Sequence, residues 1–292
     1  MIKGMETPAL IRLRALASAV RLQRPIEIVD VGANPINAPD YANLLNCGLA
    51  RVTGFEPHEE AFATLEAEAS DVARFFPYAV GDGKTHELRV CKGSGLTSLL
   101  EPNQKAFAYL GRLQRHARVI ERKPVETMRL DDIPDLGQID FLKIDIQGGE
   151  LSVFQNARAT LSNCLAVMTE VAFTQLYVGQ PLIDAQMVEL RGQGFDFHKF
   201  MFLKTMALPS SLNVQMRPRA ARSQAVDGDA VFIRNLMDLS SAAPEDLKRL
   251  AVLAEGCFGS HDLALRCLSY LVEQDHLTRN DIDDYIALLE TI

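Results

Sequence analysis

The chain has 292 residues, of which 48% are hydrophobic and 23% charged, and its formal net charge is −8. This composition is typical of a soluble globular protein and excludes an intrinsically disordered chain. Because a nucleic-acid-binding surface needs an excess of Lys and Arg, the negative charge argues against nucleic acid as a partner. The five scattered cysteines include no C-x-x-C pair, which argues against a disulfide framework or a structural zinc site and favours the reducing cytoplasm.

The segment over residues 8–26 is apolar but is interrupted by four arginines. A signal peptide or a membrane span would not contain that pattern, so we expect neither. The spacing of Leu10, Leu13 and Leu16 predicts an amphipathic helix instead. We expect a helical cap over residues 1–25 that packs on the core, with a membrane-surface helix as the alternative.

Strand-like and helix-like segments alternate over residues 26–236, and this alternation predicts an α/β domain with a parallel sheet and helices on both faces. The predicted strands are 26–31, 51–57, 74–80, 86–91, 118–130, 140–146, 165–173, 195–203 and 229–235. Single helices are predicted over 37–46, 58–70, 149–161 and 183–192, and a loop over 204–228. Ligands of such sheets bind at the carboxyl ends of the strands.

The character of the chain changes after residue 240. Segments 244–256, 260–274 and 278–290 predict three amphipathic helices without strands, which form a small helical extension over 237–292. Apolar stripes on these helices are expected either to pair subunits in a homo-oligomer or to cover the acceptor site.

Acidic residues follow the first three predicted strands. Asp30 and Gly32 lie in DVGANP, where a glycine turn brings backbone close to a ligand. Glu56 in GFEP is placed to accept both hydroxyls of a ribose. Asp82 in AVGD lies where an adenine edge would reach, although GDG is also the composition of a tight turn.

A second group of candidates follows the later strands. In FLKIDIQGGE (141–150), Asp145 is expected to orient a substrate hydroxyl, act as a base or hold the amino end of a cofactor. A structural Lys143–Asp145 pair is the alternative. Glu170 and His198 are further candidate general bases.

Six motifs occur in the order of one known family: DVGAN, GFEP, AVGD, SGLTSLL (94–100), FLKIDIQGGE and TEV (169–171). Over residues 26–203 the chain resembles the FkbM family of methyltransferases. The resemblance implies a class I methyltransferase (Rossmann-like) fold with a mostly parallel seven-stranded sheet, S-adenosylmethionine (SAM) as donor, and a hydroxyl of a sugar or small natural product as acceptor. It also implies SAM contacts from Asp30, Gly32, Asn34, Glu56 and Asp82, with Ser98 lining the site.

Two positions depart from the family pattern. Pro35 and Ile36 replace the usual continuation to a second glycine, and Gln147 replaces the usual acid of the IDVEG-type motif. These departures motivate an alternative, an inactive SAM-binding or interaction module that works through the C-terminal helices. A nicotinamide-dependent oxidoreductase is disfavoured because the glycines of its dinucleotide motif are missing.

The predicted reaction is direct transfer of the SAM methyl group to the acceptor oxygen, with Asp145 as the first candidate base, followed by His198 and Glu170.

The basic run over 112–123 is either a contact for an anionic acceptor or a solvated face. YVGQPL (177–182) is a candidate lid. No His, Cys and acid set has clear metal-ligand spacing, so no required metal is expected.

Overall fold

The computed structural model describes residues 7–33, 38–212 and 222–290. The strands of these segments are β1 (Ile26–Val31), β2 (Ala50–Phe55), β3 (Ala73–Phe76), β4 (Ala79–Val80), β5 (Thr85–Cys91), β6 (Val119–Met128), β7 (Phe141–Ile144), β8 (Ala166–Ala172), β9 (Phe195–Met206) and β10 (Gln224–Arg234). The α-helices are α1 (Pro8–Val20), α2 (Ala42–Asn46), α3 (Glu59–Ala67), α4 (Gln104–Leu110), α5 (Glu150–Gln155), α6 (Arg158–Leu161), α7 (Ile183–Gly192), α8 (Pro244–Leu253), α9 (His261–Glu273) and α10 (Arg279–Leu289).

Seven strands form the main sheet in the order β3-β2-β1-β7-β8-β10-β9. The pairs from β3 to β8 are parallel, whereas β10 runs antiparallel to both of its neighbours. Because β10 is reversed, its first residues lie beside the last residues of β8, and Asp229 pairs with Glu170. The carboxyl ends of the parallel strands and the start of β10 therefore share one edge of the sheet. The predicted mostly parallel α/β sheet with helices on both faces is confirmed.

Each face of this sheet is buried under its own hydrophobic core. One core joins the sheet to α1, α2 and the C-terminal helices, and the other lies under α5, α6 and α7. Burial on both faces explains why the central strands read as nearly continuous apolar runs. The apolar stripes of the C-terminal helices are buried in the first core, so they do not form a free apolar face for subunit pairing: Leu247, Leu250, Leu253, Leu263, Leu268 and Leu271.

A smaller structure covers the shared edge of the sheet. Strands β4, β6 and β5 form a three-stranded sheet, and the segment over residues 92–118, here called the cover, contains α4. The cover has a core of its own, in which Phe107 and Leu110 pack with Tyr177 and Met206. The sequence predicted only irregular structure between β5 and β6.

Three predicted elements differ from the structure. The strand predicted over 74–80 ends at Phe76, and Pro77, which has no N–H for a strand ladder, separates β3 from β4. The helix predicted over 149–161 is divided into α5 and α6, because the Asp131 carboxylate accepts N–H bonds from the first turn of α6. Both ends of the loop predicted over 204–228 continue β9 and β10, and its residues 213–221 lie outside the described segments.

The N-terminal helix α1 buries Leu13, Leu16 and Val20 against the first core. In the ranges that the structure describes, no helix is both long enough and apolar enough to cross a bilayer.

A buried carboxylate ties α1 to the C-terminal helices. Glu255 lies in a π-helical turn after α8 (Ala254–Phe258), and its side chain accepts hydrogen bonds from Arg12 Nε (2.9 Å) and the Tyr285 hydroxyl (2.8 Å). Its second oxygen also lies 2.6 Å from His261 Nδ1. Helices α1, α9 and α10 therefore share one buried acceptor, and α1 is distant from the other two in sequence.

We predict that Glu255→Ala lowers the free energy of unfolding by about 3–5 kcal/mol, because it leaves the Arg12 guanidinium buried without its partner. Urea denaturation measures this loss. Asp283→Ala is the matched control, since it removes an exposed pair with Arg279 that contributes less than about 1 kcal/mol. Equal effects of the two variants would contradict the proposed role of Glu255.

Candidate functional site

The turn after β1 lies directly against the end of β7. Gly32 has a φ of +81°, and a Cβ at this position would lie 2.1 Å from the carbonyl oxygen of Asp145. The Asp145 N–H donates to the carbonyl of Val31 (3.0 Å), which fixes the two strand ends together. Gly32 is required both by its left-handed backbone and by this close approach.

Asp30, the predicted acid of β1, is buried and already has two partners. Its carboxylate accepts hydrogen bonds from the Tyr41 hydroxyl (2.7 Å) and from Lys143 Nζ (3.1 Å). The ion pair of Lys143 is therefore with Asp30, and the alternative of a Lys143–Asp145 pair was wrong. Burial lowers the pKa of Lys143, but the charges of Asp30 and Asp145 outweigh it and raise the pKa.

Glu56 follows β2 and is largely buried. The His58 N–H donates to one carboxylate oxygen of Glu56 (2.7 Å), and no described residue donates to the other. Burial raises the pKa of Glu56, with the hydrogen bond from His58 acting in the opposite direction. The side chain thus presents a second acceptor oxygen without a partner in the described chain.

Asp82 and Ser98 have local partners. The hydrogen bond from His86 (2.7 Å), aided by the Lys84 N–H, lowers the pKa of Asp82 to about 2, and this carboxylate organises the turn before β5. The buried Ser98 hydroxyl donates to the backbone carbonyl of Gln147 (2.7 Å) and so fastens the cover to the loop after β7. Asn34, the remaining predicted SAM contact, lies outside the described residues.

Gln147 lies among the carboxylates of Asp145, Glu150, Glu170 and Asp229, here called the acidic edge. Its Nε2 donates to Asp145 Oδ1 (2.8 Å) and to both carboxylate oxygens of Glu170 (3.1 and 3.2 Å). The buried Tyr177 hydroxyl donates to Gln147 Oε1 (2.9 Å), and this bond turns the amide so that its NH₂ faces the carboxylates. The backbone φ of Gln147 is +60°, a conformation that few residues other than glycine adopt.

The carboxylates around Gln147 hold protons more tightly than usual. Burial raises the pKa of Glu150 to about 7 despite the N–H bonds from Ile146 and Gly148. Burial and then the charges of Asp145 and Glu150 raise the pKa of Glu170 well above its ordinary value. Burial also raises the pKa of Asp229 to about 6, with Asp145 contributing. Neighbouring carboxylates contribute to these raised pKa values, so a cationic ligand placed among them would be attracted and would favour their ionised forms.

Ligand atoms of Asp145, Glu150 and Glu170 lie within 4.8 Å of one another, a grouping that could also hold a metal ion. The sequence spacing gave no sign of this grouping, because Glu170 reaches it from a neighbouring strand. The Gln147 amide already donates to two of the three carboxylates.

His198, a predicted base, lies away from this cluster. Its Nε2 is 2.6 Å from the Ser260 hydroxyl, and its position on β9 faces the segment before α9. His198 lies on β9, which is two strands away from the β8 residue Glu170. It is also further along the sheet, because its neighbour Lys199 pairs with Val231 of β10, whereas Glu170 pairs with Asp229. Burial lowers the pKa of His198. The structure brings Asp145 and Glu170 together but does not add His198 to them.

Sequence reasoning missed three contributors to the site. Tyr41 holds Asp30, Tyr177 orients Gln147, and Asp229 joins the acids from the reversed strand. The only available signal for Asp229 was its place in an otherwise apolar strand. Tyr177 lay in the candidate lid over 177–182, but the sequence did not link it to Gln147 or Tyr41 to Asp30, because each tyrosine acts through a residue distant in the chain.

The chain matches one protein family. The methyltransferase FkbM domain family matches residues 30–197. No protein with a curated description matches the chain.

Three methyltransferases are among the solved structures to which the chain is weakly similar. A Thermoplasma acidophilum protein described as a methyltransferase is 12% identical, with 73% of this chain and 70% of that chain covered and a TM-score of 0.36. A Listeria monocytogenes protein described as an S-adenosylmethionine-dependent methyltransferase is 8% identical, with coverages of 78% and 98% and a TM-score of 0.36. Precorrin-6y C5,15-methyltransferase from Geobacter metallireducens is 13% identical, with coverages of 76% and 86% and a TM-score of 0.32. The family match and the mostly parallel seven-stranded sheet, not these weak likenesses, give the fold of a class I methyltransferase.

We predict that Gln147→Glu destabilises the protein, because it removes the amide donor and adds another carboxylate to the cluster. A carboxyl group whose pKa rises on folding favours the folded state at low pH, and this contribution is lost as the pH rises through the folded-state value. With Glu150 titrating at about 7, the loss should be small at pH 5 and reach about 1–3 kcal/mol at pH 8.

Urea denaturation at both pH values measures this dependence. Gln138→Glu is the matched control, because Gln138 is exposed and lies before the start of β7, at the opposite end of that strand from Asp145. A loss that is the same at pH 5 and pH 8 would contradict the assigned role of the Gln147 amide.

Proposed function

Because the chain belongs to the FkbM methyltransferase family, we propose that it transfers a methyl group from SAM to a hydroxyl of a sugar or small natural-product acceptor. The observation that carries the proposal is the convergence of Asp145, Glu170 and Asp229 at the sheet edge next to the Gly32 turn. A sulfonium cation is attracted by this negative potential. SAM supplies the electrophilic methyl group, and the residues of the chain bind and orient the reactants.

We assign the cofactor contacts first to Gly32 and Glu56. The Gly32 turn presents backbone without a side chain, and Glu56 offers an acceptor oxygen that no described residue uses. A carboxylate accepts two hydroxyl hydrogen bonds at once, which suits a ribose. Asp30 contributes indirectly, because Tyr41 and Lys143 occupy its carboxylate and hold the turn beside it.

We assign the acceptor proton to Asp145. This side chain is exposed, whereas Glu150 is buried and Glu170 is largely buried. Gln147 holds one oxygen of Asp145, which leaves the second oxygen for the acceptor hydroxyl. The adjacent Glu170 is the second candidate base, and burial together with the charges of Asp145 and Glu150 raises its pKa.

The alternative of an inactive module working through its C-terminal helices is not favoured. The apolar stripes that motivated it pack into the same core as the sheet. Gln147, the other motivation, is held by hydrogen bonds to Asp145, Glu170 and Tyr177 and so maintains the acidic edge. The nicotinamide alternative has no support from the family match.

We predict that Glu56→Ala weakens SAM binding roughly 10- to 100-fold, because it removes charge-assisted hydrogen bonds to the ribose. Isothermal titration with SAM measures the change. Asp82→Asn is the comparison, since its carboxylate is engaged in the turn and its substitution should leave SAM affinity within about twofold. The reverse order of effects would assign the cofactor contact to Asp82.

We predict that Asp145→Asn lowers kcat for methyl transfer by roughly 10²–10⁴-fold with SAM affinity nearly unchanged, because an amide cannot take the hydroxyl proton. Transfer from methyl-labelled SAM to a panel of hydroxylated sugars measures this effect. His198→Ala is the control and should retain turnover, since His198 contacts Ser260 instead of the acids. Full turnover in Asp145→Asn would remove Asp145 as the base.

A further inference from the structure

The β5–β6 hairpin contains two pairs of like charges that face each other across its strands. In the first pair, Arg89 lies opposite Arg122. Glu87 and Glu101 compensate this pair: Arg122 contacts both carboxylates at 2.8 Å, and Arg89 contacts Glu101 at 3.1 Å. The repulsion between the two guanidinium groups is therefore neutralised within the hairpin.

The second pair has no such compensation. The Lys92 N–H donates to the carbonyl of Arg118 (2.9 Å), immediately beyond the Cys91–Val119 pair. Both side chains are exposed, and within the described segments neither has an ion-pair or hydrogen-bond partner. Like charges directly opposite each other destabilise a hairpin, so an uncompensated pair indicates a place for an external anion.

The surroundings of this pair are also basic. The cover, residues 92–118, contains five Lys or Arg and one acid, in a chain whose net charge is −8. That acid is Glu101, which is already engaged by Arg89 and Arg122. The other basic side chains of the cover are exposed and have no side-chain partner in the described part of the chain: Lys105, Arg112, Arg115 and His116.

This basic surface borders the acidic edge. The Gly93 N–H donates to the carbonyl of His116, and the Leu96 carbonyl oxygen lies 3.3 Å from the Tyr177 hydroxyl, which donates to Gln147. The three residues from Gly93 to Leu96 span at most about 10 Å. One short stretch of the cover therefore connects the basic surface to the tyrosine that holds Gln147 beside the carboxylates.

We propose that Lys92 and Arg118 form a binding site for an anionic group, a carboxylate, sulfate or phosphate, on the methyl acceptor. This inference rests on the proposed methyltransferase function and deepens it. The acidic edge repels an anion, whereas Lys92 and Arg118, here called the basic rim, attract it. The acceptor therefore binds with its neutral hydroxyl at Asp145 and its charged group at the basic rim. Charge separation thus selects both the class of acceptor and its orientation.

Nucleic acid is the competing source of anions. A strand of RNA presents a row of phosphates and needs an extended basic track, whereas here the cations border a cluster of carboxylates that repels a polyanion. We therefore favour an acidic small molecule, such as an acidic sugar, and include RNA as an outcome of the test.

The test compares glucose, glucuronate and glucose 6-phosphate by NMR titration in the presence of S-adenosylhomocysteine. Glucuronate, glucose 6-phosphate or both should bind roughly tenfold more tightly than glucose, and 300 mM salt should reduce the difference. The two charged sugars distinguish a carboxylate site from a phosphate site. Lys92→Gln/Arg118→Gln should lose most of the preference.

The control is Arg191→Gln/Arg266→Gln, which removes the same charge from exposed positions on α7 and α9 and should keep the preference. Equal or absent binding of all three sugars to the wild type would overturn the proposal. So would an unchanged preference in the Lys92/Arg118 variant. A 12-nucleotide RNA that binds more tightly than both charged sugars, and only when Lys92 and Arg118 are present, would also overturn it.

Titration of the same samples with SAM distinguishes a failure of the anion site from a failure of the proposed function. SAM binding without any preference for anionic sugars overturns the rim site alone, whereas no SAM binding in folded wild-type protein overturns the proposed function. Urea denaturation checks the fold: the Lys92/Arg118 variant should be at least as stable as the wild type, because the substitution relieves repulsion.

Discussion

The carboxylates at one edge of the sheet repel one another, and the surrounding structure offsets this repulsion. Parallel strands end on the same side, so Asp145 after β7 and Glu170 near the end of β8 converge, and the reversed β10 adds Asp229 to them. The amide of Gln147 offsets this repulsion by donating to Asp145 and Glu170. Tyr177 fixes which end of that amide faces the acids, and raised pKa values reduce the remaining charge. The carboxylates of the acidic edge are thus held together by the amide of Gln147, at a position where the family usually has an acid.

The cover depends on the same residue. Ser98 donates to the backbone of Gln147, and Tyr177 packs in the core of the cover while its hydroxyl reaches the Gln147 side chain. A change at Gln147 would therefore reach both the carboxylates and the segment that carries the basic rim. This connection gives the site two regions of opposite charge that are joined by a few hydrogen bonds. In the proposed reaction, one region serves the cofactor and the reacting hydroxyl, and the other serves the remainder of the acceptor.

The two cores hold this edge rigid from both faces of the sheet. On one face, Glu255 links α1 to α9 and α10, so the C-terminal helices are part of the fold that supports the strand ends. At the ends of β1 and β7, the Asp30 carboxylate accepts hydrogen bonds from Lys143 and Tyr41. The bond between Asp30 and Lys143 joins β1 to β7 beside the Gly32 turn. A buried ion pair of this kind fixes geometry more than it adds stability, because desolvation offsets much of its attraction. The helical extension and the acidic edge therefore belong to one packed unit.

The sequence by itself determined the alternation of strands and helices, the mostly parallel sheet and the position of Asp145 near a strand end, because periodicity and strand-end position are local properties. The ordered motifs also identified the family. Only the tertiary structure decided which partner each charged group has: Lys143 pairs with Asp30, Asp82 serves its own turn, and His198 contacts Ser260. The roles of Tyr177 and Asp229, and the contrast between the compensated and uncompensated hairpin pairs, depend on contacts between distant segments. Spacing along the chain carries no information about such contacts, since strand order and register place these residues together.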